Sequence, residues 1–259
     1  MSRILVWDLP TRLFHWLLVA AFIAAYLLGE EDGLLGWHSY FGYLLGGLIL
    51  FRLVWGFVGG HYSRFADFPP APGAAWRYVK DLFAGKERHS LGHNPAGALA
   101  IYALLGLGLA TVVSGLVLFA ADKGLGPLAG IAPAHWEDAA EEVHEFAANA
   151  MLLVVLVHLA GVAVGSLKHR ENLPRAMVTG YKTVQPGQGA AVPVSKASLV
   201  ALMMLAGVVL LATQHDFSVG DDKVRVVREA GDGQEDEGDH DDEVHEGLQG
   251  KDKDEEHGD

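Results

Sequence analysis

Five apolar stretches separated by charged loops dominate this chain. They cover residues 13–28, 39–58, 96–120, 146–167 and 198–213. A helix needs about 20 mostly apolar residues to cross a bilayer, and each stretch reaches or approaches that length. The pattern predicts an all-α membrane protein, in which a four-helix transmembrane bundle is followed by a fifth transmembrane helix.

Basic residues predict how the bundle is oriented. They are concentrated near the N-terminus, in the loop between the second and third stretches and in the loop before the fifth, whereas the opposite side carries only Lys123 and the acidic run 30–32. By the positive-inside rule, the N-terminus is cytoplasmic and, after five crossings, the C-terminus lies outside.

Four histidines in or beside these stretches fall into two pairs by depth. His144 and His158 are fourteen residues apart, so a helix presents them on nearly one face and about 21 Å apart along its axis. His15 and His38 lie at the starts of the first and second stretches. The orientation places His15 and His158 near the cytoplasmic face, and His38 and His144 near the outer face. Histidine within hydrocarbon is costly, so matched pairs favour a ligand role.

The types of residue available restrict which cofactor these pairs could hold. The chain has 13 His and no Cys, which excludes iron-sulfur clusters, thiolate ligation and covalent haem attachment. A zinc site needs three or four converging ligands, whereas these histidines come in twos. The pattern therefore predicts two non-covalent b-type haems, each held by two histidines, and electron transfer across the bilayer. A membrane transporter or metal-handling protein that uses histidines as a relay is the alternative.

Further residues are candidates for contacts with cofactor or substrate. Haem propionates need cationic partners, and Arg12 and Arg52 are the best placed, although positive-inside anchoring would also explain them. His93 and Asn94, just before the third stretch, could serve the same haem or the headgroup of a quinone, a candidate substrate. Two groups of glycines leave room for a flat macrocycle or for close helix packing: Gly42, Gly46 and Gly47, and Gly106, Gly108 and Gly115.

The C-terminal region differs in composition from the rest. From residue 216 onward it has 18 Asp and Glu against 5 Lys and Arg, which accounts for the whole net charge of -13. It has too few apolar residues for a core, so we expect a disordered tail. Outside the membrane, such a tail would attract a basic protein such as a cytochrome c. A solvated tail without a specific partner, or weak metal binding by its histidines, is the alternative.

A series of separated motifs resembles the bacterial dihaem membrane cytochromes b of the b-561 type, which include the cytochrome b subunits of nickel-iron hydrogenases. The motifs are VWDLPTRLFHW at 6–16, WHSYFGY at 37–43, RLVWGFVGGHYSRF at 52–65, GHNPAG at 92–97, HEFAAN at 144–149 with His158, and SLKHRENLPRAMVTGYK at 166–182. The likeness covers roughly residues 3–183 and is more specific than any one motif.

The resemblance implies a dihaem four-helix core over residues 1–183, in which His15 pairs with His158 and His38 with His144. Beyond the likeness, we expect residues 184–215 to form a linker and the fifth helix, and residues 216–259 the acidic tail. We expect a bacterial inner-membrane protein that passes electrons between quinone and a periplasmic partner, either a cytochrome c or a dehydrogenase such as hydrogenase. Motifs for flavin, nicotinamide or ATP are not apparent, and no nucleic-acid partner is expected. We therefore expect an electron-transfer subunit rather than a complete enzyme.

Overall fold

The computed structural model describes residues 2–29, 33–86, 90–184 and 196–212. In this part of the chain, two short strands and seven α-helices follow one another: β1 (Ser2–Leu5), α1 (Leu9–Leu28), α2 (Leu35–Val58), α3 (Pro72–Ala84), α4 (Pro95–Lys123), α5 (Glu137–His169), α6 (Leu173–Thr179), β2 (Tyr181–Val184) and α7 (Lys196–Ala212). Single 3-10 turns at His61–Ser63, Phe65–Asp67 and Ala134–Trp136 lie in the loops.

Among the residues that the structure describes, four helices are long and apolar enough to cross a membrane, namely α1, α2, α4 and α5, the last counted with the 3-10 turn before it. Their outer surfaces carry large apolar side chains that are mostly exposed, among them Leu27, Phe57 and Leu153. A contiguous apolar exterior of this kind suits contact with lipid. The predicted multi-pass helical bundle is confirmed.

Polar residues at the helix starts explain why the helices begin before the apolar stretches do. Asp8 accepts a hydrogen bond from the Thr11 N–H at 2.9 Å, and Asn94 accepts one from the Gly97 N–H at 2.7 Å. Each side chain satisfies a backbone donor that has no partner within the helix. A proline follows each cap at the first helical positions, where its missing N–H costs nothing.

The four spanning helices pack as two close pairs. α1 packs on α2, α4 packs on α5, and α2 meets α4 in the centre, where Leu48, Ile49 and Met151 are almost fully buried. Among the described residues, α5 makes only sparse backbone approaches to α1 and α2. Tyr26 bridges this separation by donating a hydrogen bond to Asn149 Oδ1 at 2.8 Å. The space between α5 and the first pair is therefore wide enough for a bulky group.

One end of the bundle is closed by a small sheet. We call it the N-terminal end, because α1 and α4 begin there and α2 and α5 finish there; the other end is the distal end. β1 and β2 pair antiparallel, with Leu5 opposite Tyr181. The backbone N–H groups of Val6 and Trp7 donate to Gly180 O at 2.9 and 3.1 Å. These bonds fix the start of α1 against the chain that follows α5.

Helix α3 lies between α2 and α4 in the chain and packs on α4 at the N-terminal end. Ala75 and Leu82 form its buried face, whereas Trp76 and Phe83 are largely exposed. The Lys80 ammonium lies 5.3 Å from the centroid of the Trp76 ring. Exposed aromatic rings interleaved with a long basic side chain are typical of helices that lie in a membrane interface.

The fifth apolar stretch forms α7, a helix of 17 residues. It packs on α2 and α1 through the buried Ala201 and Leu205, and Gly47 allows the approach, because a Cβ there would lie 2.6 Å from Val208 Cγ1. A helix of this length is short for a crossing, so the fifth span stays a prediction. The acidic tail lies outside the described residues, and the proposed division of the chain likewise stays a prediction.

Candidate haem-binding site

The bundle brings His38 and His144 together near its distal end. Their ring centroids lie 5.9 Å apart, with the ring planes at 74°. An iron bound by one nitrogen of each ring at about 2 Å would place the centroids roughly 6 Å apart. The observed separation therefore leaves room for one iron between the two imidazoles, and their role as its ligands stays a prediction.

Backbone carbonyls orient both of these imidazoles. His38 Nδ1 lies 2.9 Å from Ala25 O, and His144 Nδ1 lies 2.8 Å from Thr111 O. A carbonyl oxygen only accepts, so each Nδ1 carries the proton and donates. That tautomer leaves each Nε2 with a free lone pair, which is the arrangement of histidines that bind metals.

A cavity of about 430 Å³ surrounds this pair. It is bordered by α1, α2, α4 and α5, with Phe22, Leu116 and Phe119 among its apolar walls. Glycines keep it open beside the rings: a Cβ on Gly115 would lie 2.8 Å from His144 Cε1, and one on Gly29 would lie 3.3 Å from His38 Cε1. A mostly apolar cavity with two converging imidazoles suits a planar, hydrophobic group.

His15 and His158 lie toward the N-terminal end and are within electrostatic range of each other. His15 Nδ1 is buried and has no hydrogen-bond partner among the described residues. The second pair thus lies at the same end of the bundle, but among the described residues no backbone acceptor holds His15 as Ala25 and Thr111 hold the first pair. A group bound at this depth would have to contribute to fixing them.

Three more buried nitrogens without partners in the described residues lie at the same end. They are Arg12 Nε, Arg52 Nη1 and His93 Nδ1. Leaving such a group unsatisfied costs about 1–3 kcal/mol, and more for a charged one. Two guanidinium donors and two unpartnered imidazole nitrogens together indicate that an acceptor belongs here. Anionic propionates would supply one, so the residues present fit a haem.

A model of the prokaryotic cytochrome b561 family matches residues 6–180 of this chain. The chain belongs to this family. The protein is a multi-pass membrane b-type cytochrome that takes part in electron transfer and binds haem. The matched region contains the four candidate ligand histidines and, in the described part of the chain, the four helices that are long enough to span a membrane.

Three curated proteins that are similar to this chain are named as b-type cytochromes. The chain is 26% identical over 217 residues to a protein of Azotobacter chroococcum mcd 1 named "Probable Ni/Fe-hydrogenase B-type cytochrome subunit", with 70% of this chain and 89% of that protein covered. A protein of the same name from Bradyrhizobium diazoefficiens is 24% identical over 209 residues, covering 68% and 85%. One from Azotobacter vinelandii is 25% identical over 216 residues, covering 70% and 89%. No solved structure matches the chain.

In this cytochrome, Arg52 is the most buried basic residue of the spanning helices that the structure describes. It is 4% exposed, and its guanidinium carbon lies 4.7 Å from the centroid of the Phe65 ring. Arg12 is anchored differently, because its Nη1 donates to Val178 O at 2.8 Å. Both arginines therefore lie at the N-terminal end, near the depth of His15, and their contacts with propionates stay a prediction.

His93 and Asn94 have separate environments. The His93 ring is packed between Phe68 and Trp7, with centroid distances of 4.2 and 4.8 Å. Burial lowers the pKa of His93 to about 3, with the positive charge of Arg52 and Lys182 adding to the effect. Asn94 uses its carbonyl oxygen to cap α4. A cofactor role for either residue stays a prediction.

The structure places the glycines of the two groups in different surroundings. Gly46 approaches Val112 and Gly108 approaches Ile49, so these glycines allow close helix packing. Gly42 and Gly115 line the distal cavity. Nothing lies within 4 Å of a Cβ placed on Gly106. Neither close helix packing nor room for a macrocycle accounts for all of these glycines.

Sequence reasoning missed a buried polar network that fixes the start of α1. Thr11 Oγ1 lies 2.8 Å from Ser63 Oγ, accepts a bond from Trp55 Nε1 at 3.1 Å, and shares Ser63 with the Asp8 carboxylate. This network joins α1, the end of α2 and the turn beyond it. The only sign of this network in the sequence was the presence of the polar Asp8 and Thr11 among apolar residues at the start of α1.

Proposed function

We propose that this protein is a dihaem cytochrome in which His15 and His158 hold one haem and His38 and His144 hold the other. The approach of His38 and His144, with each Nδ1 bound to a carbonyl, carries the proposal. The unpartnered donors at the N-terminal end support the second site. The haems would supply one-electron transfer, and the protein would keep their axial ligands in place and exclude water.

The proposed route runs between quinone and a protein partner. With the N-terminus cytoplasmic, the haem of His15 and His158 would lie near the cytoplasmic face of a bacterial inner membrane. The other haem would lie near the periplasm. The names of the curated relatives favour a hydrogenase as the outer partner, and cytochrome c is the alternative. The family match counts against the alternative of a transporter or metal-handling protein.

Haem stoichiometry tests the ligand assignment. The detergent-purified protein should give two b haems per chain in a pyridine haemochrome assay and low-spin bis-histidine signals by electron paramagnetic resonance. His15→Ala or His158→Ala should remove one signal, and His38→Ala or His144→Ala the other. His135→Ala, in the distal loop, is the control and should keep both. Loss of both haems from one substitution in a folded protein would contradict the pairing.

The partner is tested by supplying each candidate to protein in membrane vesicles. With a hydrogenase as partner, hydrogen should reduce the haems only when that enzyme is added from the outer side. With cytochrome c, reduced haems should be oxidised by it. If residues 216–259 recruit a basic partner, deleting them should slow association at low salt and have little effect at high salt. Equal rates at both salt concentrations would exclude a steering role.

A further inference from the structure

Two large aromatic side chains of α3 are mostly exposed at the N-terminal end of the bundle. Trp76 is 63% exposed and Phe83 is 74% exposed. They lie seven residues apart, which is close to two helical turns, so the helix brings both rings to the same side. Together they form an apolar patch on the surface of α3, and a patch of this kind marks a site of interaction.

This patch lies between the buried face of α3 and its basic face. Successive residues turn by about 100° around a helix, so Phe83 and Trp76 lie between the buried Leu82 and the exposed Lys80. Arg77 follows Lys80 farther around. The order around α3 is therefore buried, then aromatic, then basic. Helices that lie flat in a membrane interface have this order, because their apolar side enters the acyl chains and their cations meet the headgroups.

Positive charge predominates on the exposed face of α3. Residues 72–86 carry Arg77, Lys80 and Lys86 against Asp81 alone, and all four are exposed. The Lys80 ammonium lies 5.3 Å from the centroid of the Trp76 ring, so the ring keeps this cation beside the apolar patch. Asp81 lies about 140° around the helix from Trp76, away from the patch. An anion next to the aromatic rings would therefore meet cations and not the carboxylate.

A contact with α5 holds α3 at the end of a spanning helix. Lys168 Nζ donates a hydrogen bond to Leu82 O at 3.0 Å, in the last turn of α3, where the helix dipole favours a cation. The residue before it, Leu167, is 79% exposed. The apolar exterior of α5 thus extends to the level of α3. The aromatic patch is therefore presented at the boundary of the bilayer.

We propose that the exposed face of α3 binds anionic phospholipids of the surrounding bilayer. Trp76 and Phe83 would lie among the upper parts of the acyl chains, and Lys80 and Arg77 would contact the phosphate groups. Lipid fits this surface because the apolar exterior of the spanning helices reaches the same level at Leu167. An anionic headgroup fits better than a zwitterionic one, since the cationic part of a zwitterion would repel Lys80 and Arg77. This site is independent of which histidines bind haem.

The tryptophan of this surface is the probe for the test. The full-length, haem-loaded protein is placed in phosphatidylcholine vesicles with increasing amounts of a brominated lipid, either phosphatidylglycerol or phosphatidylcholine. Bromine quenches the fluorescence of tryptophans in contact with it, and the difference between the unchanged protein and Trp76→Phe isolates the Trp76 signal. Both brominated lipids should quench this signal. Brominated phosphatidylglycerol should do so at a mole fraction about fivefold lower, as expected for even one cation near the headgroup.

Removing charge separates anion binding from mere contact with lipid. The double variant Arg77→Gln, Lys80→Gln should bring the two brominated lipids to within about twofold of each other. It should leave haem content and quenching by phosphatidylcholine unchanged, because the rings and the buried face of α3 are intact. Lys123→Gln, which removes a cation at the distal end, is the matched control and should keep the preference. Asp81→Asn, on α3 itself, should keep or increase it.

Each contrary outcome overturns a defined part of the inference. If neither lipid quenches Trp76, the patch is not in contact with lipid, and another protein or water covers it. If both lipids quench Trp76 equally in the unchanged protein, the surface has no preference for anions. If the preference persists in the double variant, the anionic lipid is recruited by other residues and the assignment to Lys80 and Arg77 is wrong.

Discussion

A Cβ atom on Gly115 would lie 2.8 Å from Cε1 of His144 and 2.9 Å from its Nδ1. The same Nδ1 is bound to Thr111 O one turn earlier on α4. Helix α4 therefore positions the His144 ring in two ways. The Thr111 carbonyl holds the ring, and Gly115 leaves room for it. Two residues with no capacity to bind iron control the geometry of a predicted ligand.

Gly115→Ala should disturb the distal haem alone. The added methyl group would push the His144 ring away from Thr111 O, so its Nε2 would no longer face the iron correctly. We expect the haem-to-protein ratio to fall from about two toward one, with the signal of the His15 and His158 haem retained. Gly106→Ala, on the same helix with nothing within 4 Å, should keep both haems. Equal haem content in the two variants would refute this role of Gly115.

Arg52→Gln should lower the midpoint potential of the haem at the N-terminal end. A buried cation near an iron favours the ferrous state, since that state carries one positive charge less. We expect a decrease on the order of 1 kcal/mol, roughly 40 mV for one electron, in a redox titration followed by visible absorbance. Arg64→Gln, at an exposed position of the same end, is the control and should change little. A potential that rises in Arg52→Gln would contradict the assignment.

The paired histidines could be predicted from the sequence because helical periodicity and the positive-inside rule both depend on local composition. The spacing of His144 and His158 predicts their shared face, and the distribution of basic residues predicts their depth. The groups that orient them could not be predicted. Ala25 and Thr111 act through backbone carbonyls, which every residue has, so no residue type identifies them.

Structure that depends on long-range pairing was also missed. Residues 2–5 and 181–184 are each too short to be predicted as strands, and their pairing joins the segments on either side of the matched region 6–180. The sequence analysis predicts only a basic loop where α3 lies, although Trp76, Lys80 and Phe83 recur at helical spacing. That periodicity would have indicated an amphipathic helix at the membrane surface.

Lys182 should make the protein more stable as pH rises through the alkaline range. Burial lowers its pKa, and Glu171, whose Oε2 lies 3.6 Å from Lys182 Nζ, only partly offsets the effect. Below that lowered pKa, the folded and unfolded chains both carry the charge, so folding bears the full cost of burying it. Above it, the folded chain releases the proton first, and stability increases until about pH 10.5, the ordinary value.

Lys182→Met should remove this increase. Thermal unfolding followed from about pH 7 to pH 10.5 should show the unchanged protein gaining stability relative to Lys182→Met. Lys86→Met, at an exposed position, should keep the gain. Parallel curves for the unchanged protein and Lys182→Met would show that Lys182 does not titrate differently in the folded state.

Gly180→Ala should destabilise the joint between β1, α1 and α6. Gly180 has φ of 85°, and a Cβ there would lie 2.6 Å from Trp7 O and 3.3 Å from Arg12 Nη1. Its own carbonyl accepts from Val6 and Trp7, so the backbone cannot move away without losing two hydrogen bonds. We expect a loss of about 2–3 kcal/mol in unfolding free energy, from strain at positive φ and from the clash.

Gly161→Ala is the matched control for this substitution. Gly161 lies inside α5 with nothing within 4 Å of a Cβ, and alanine favours a helix interior by about 0.5–1 kcal/mol. A thermal melt should therefore show Gly180→Ala unfolding at lower temperature and Gly161→Ala at the same temperature or higher. Because Arg12 lies against Gly180, haem loss during the melt should also come earlier in Gly180→Ala. If Gly180→Ala melted like Gly161→Ala, this joint would not be under the strain inferred here.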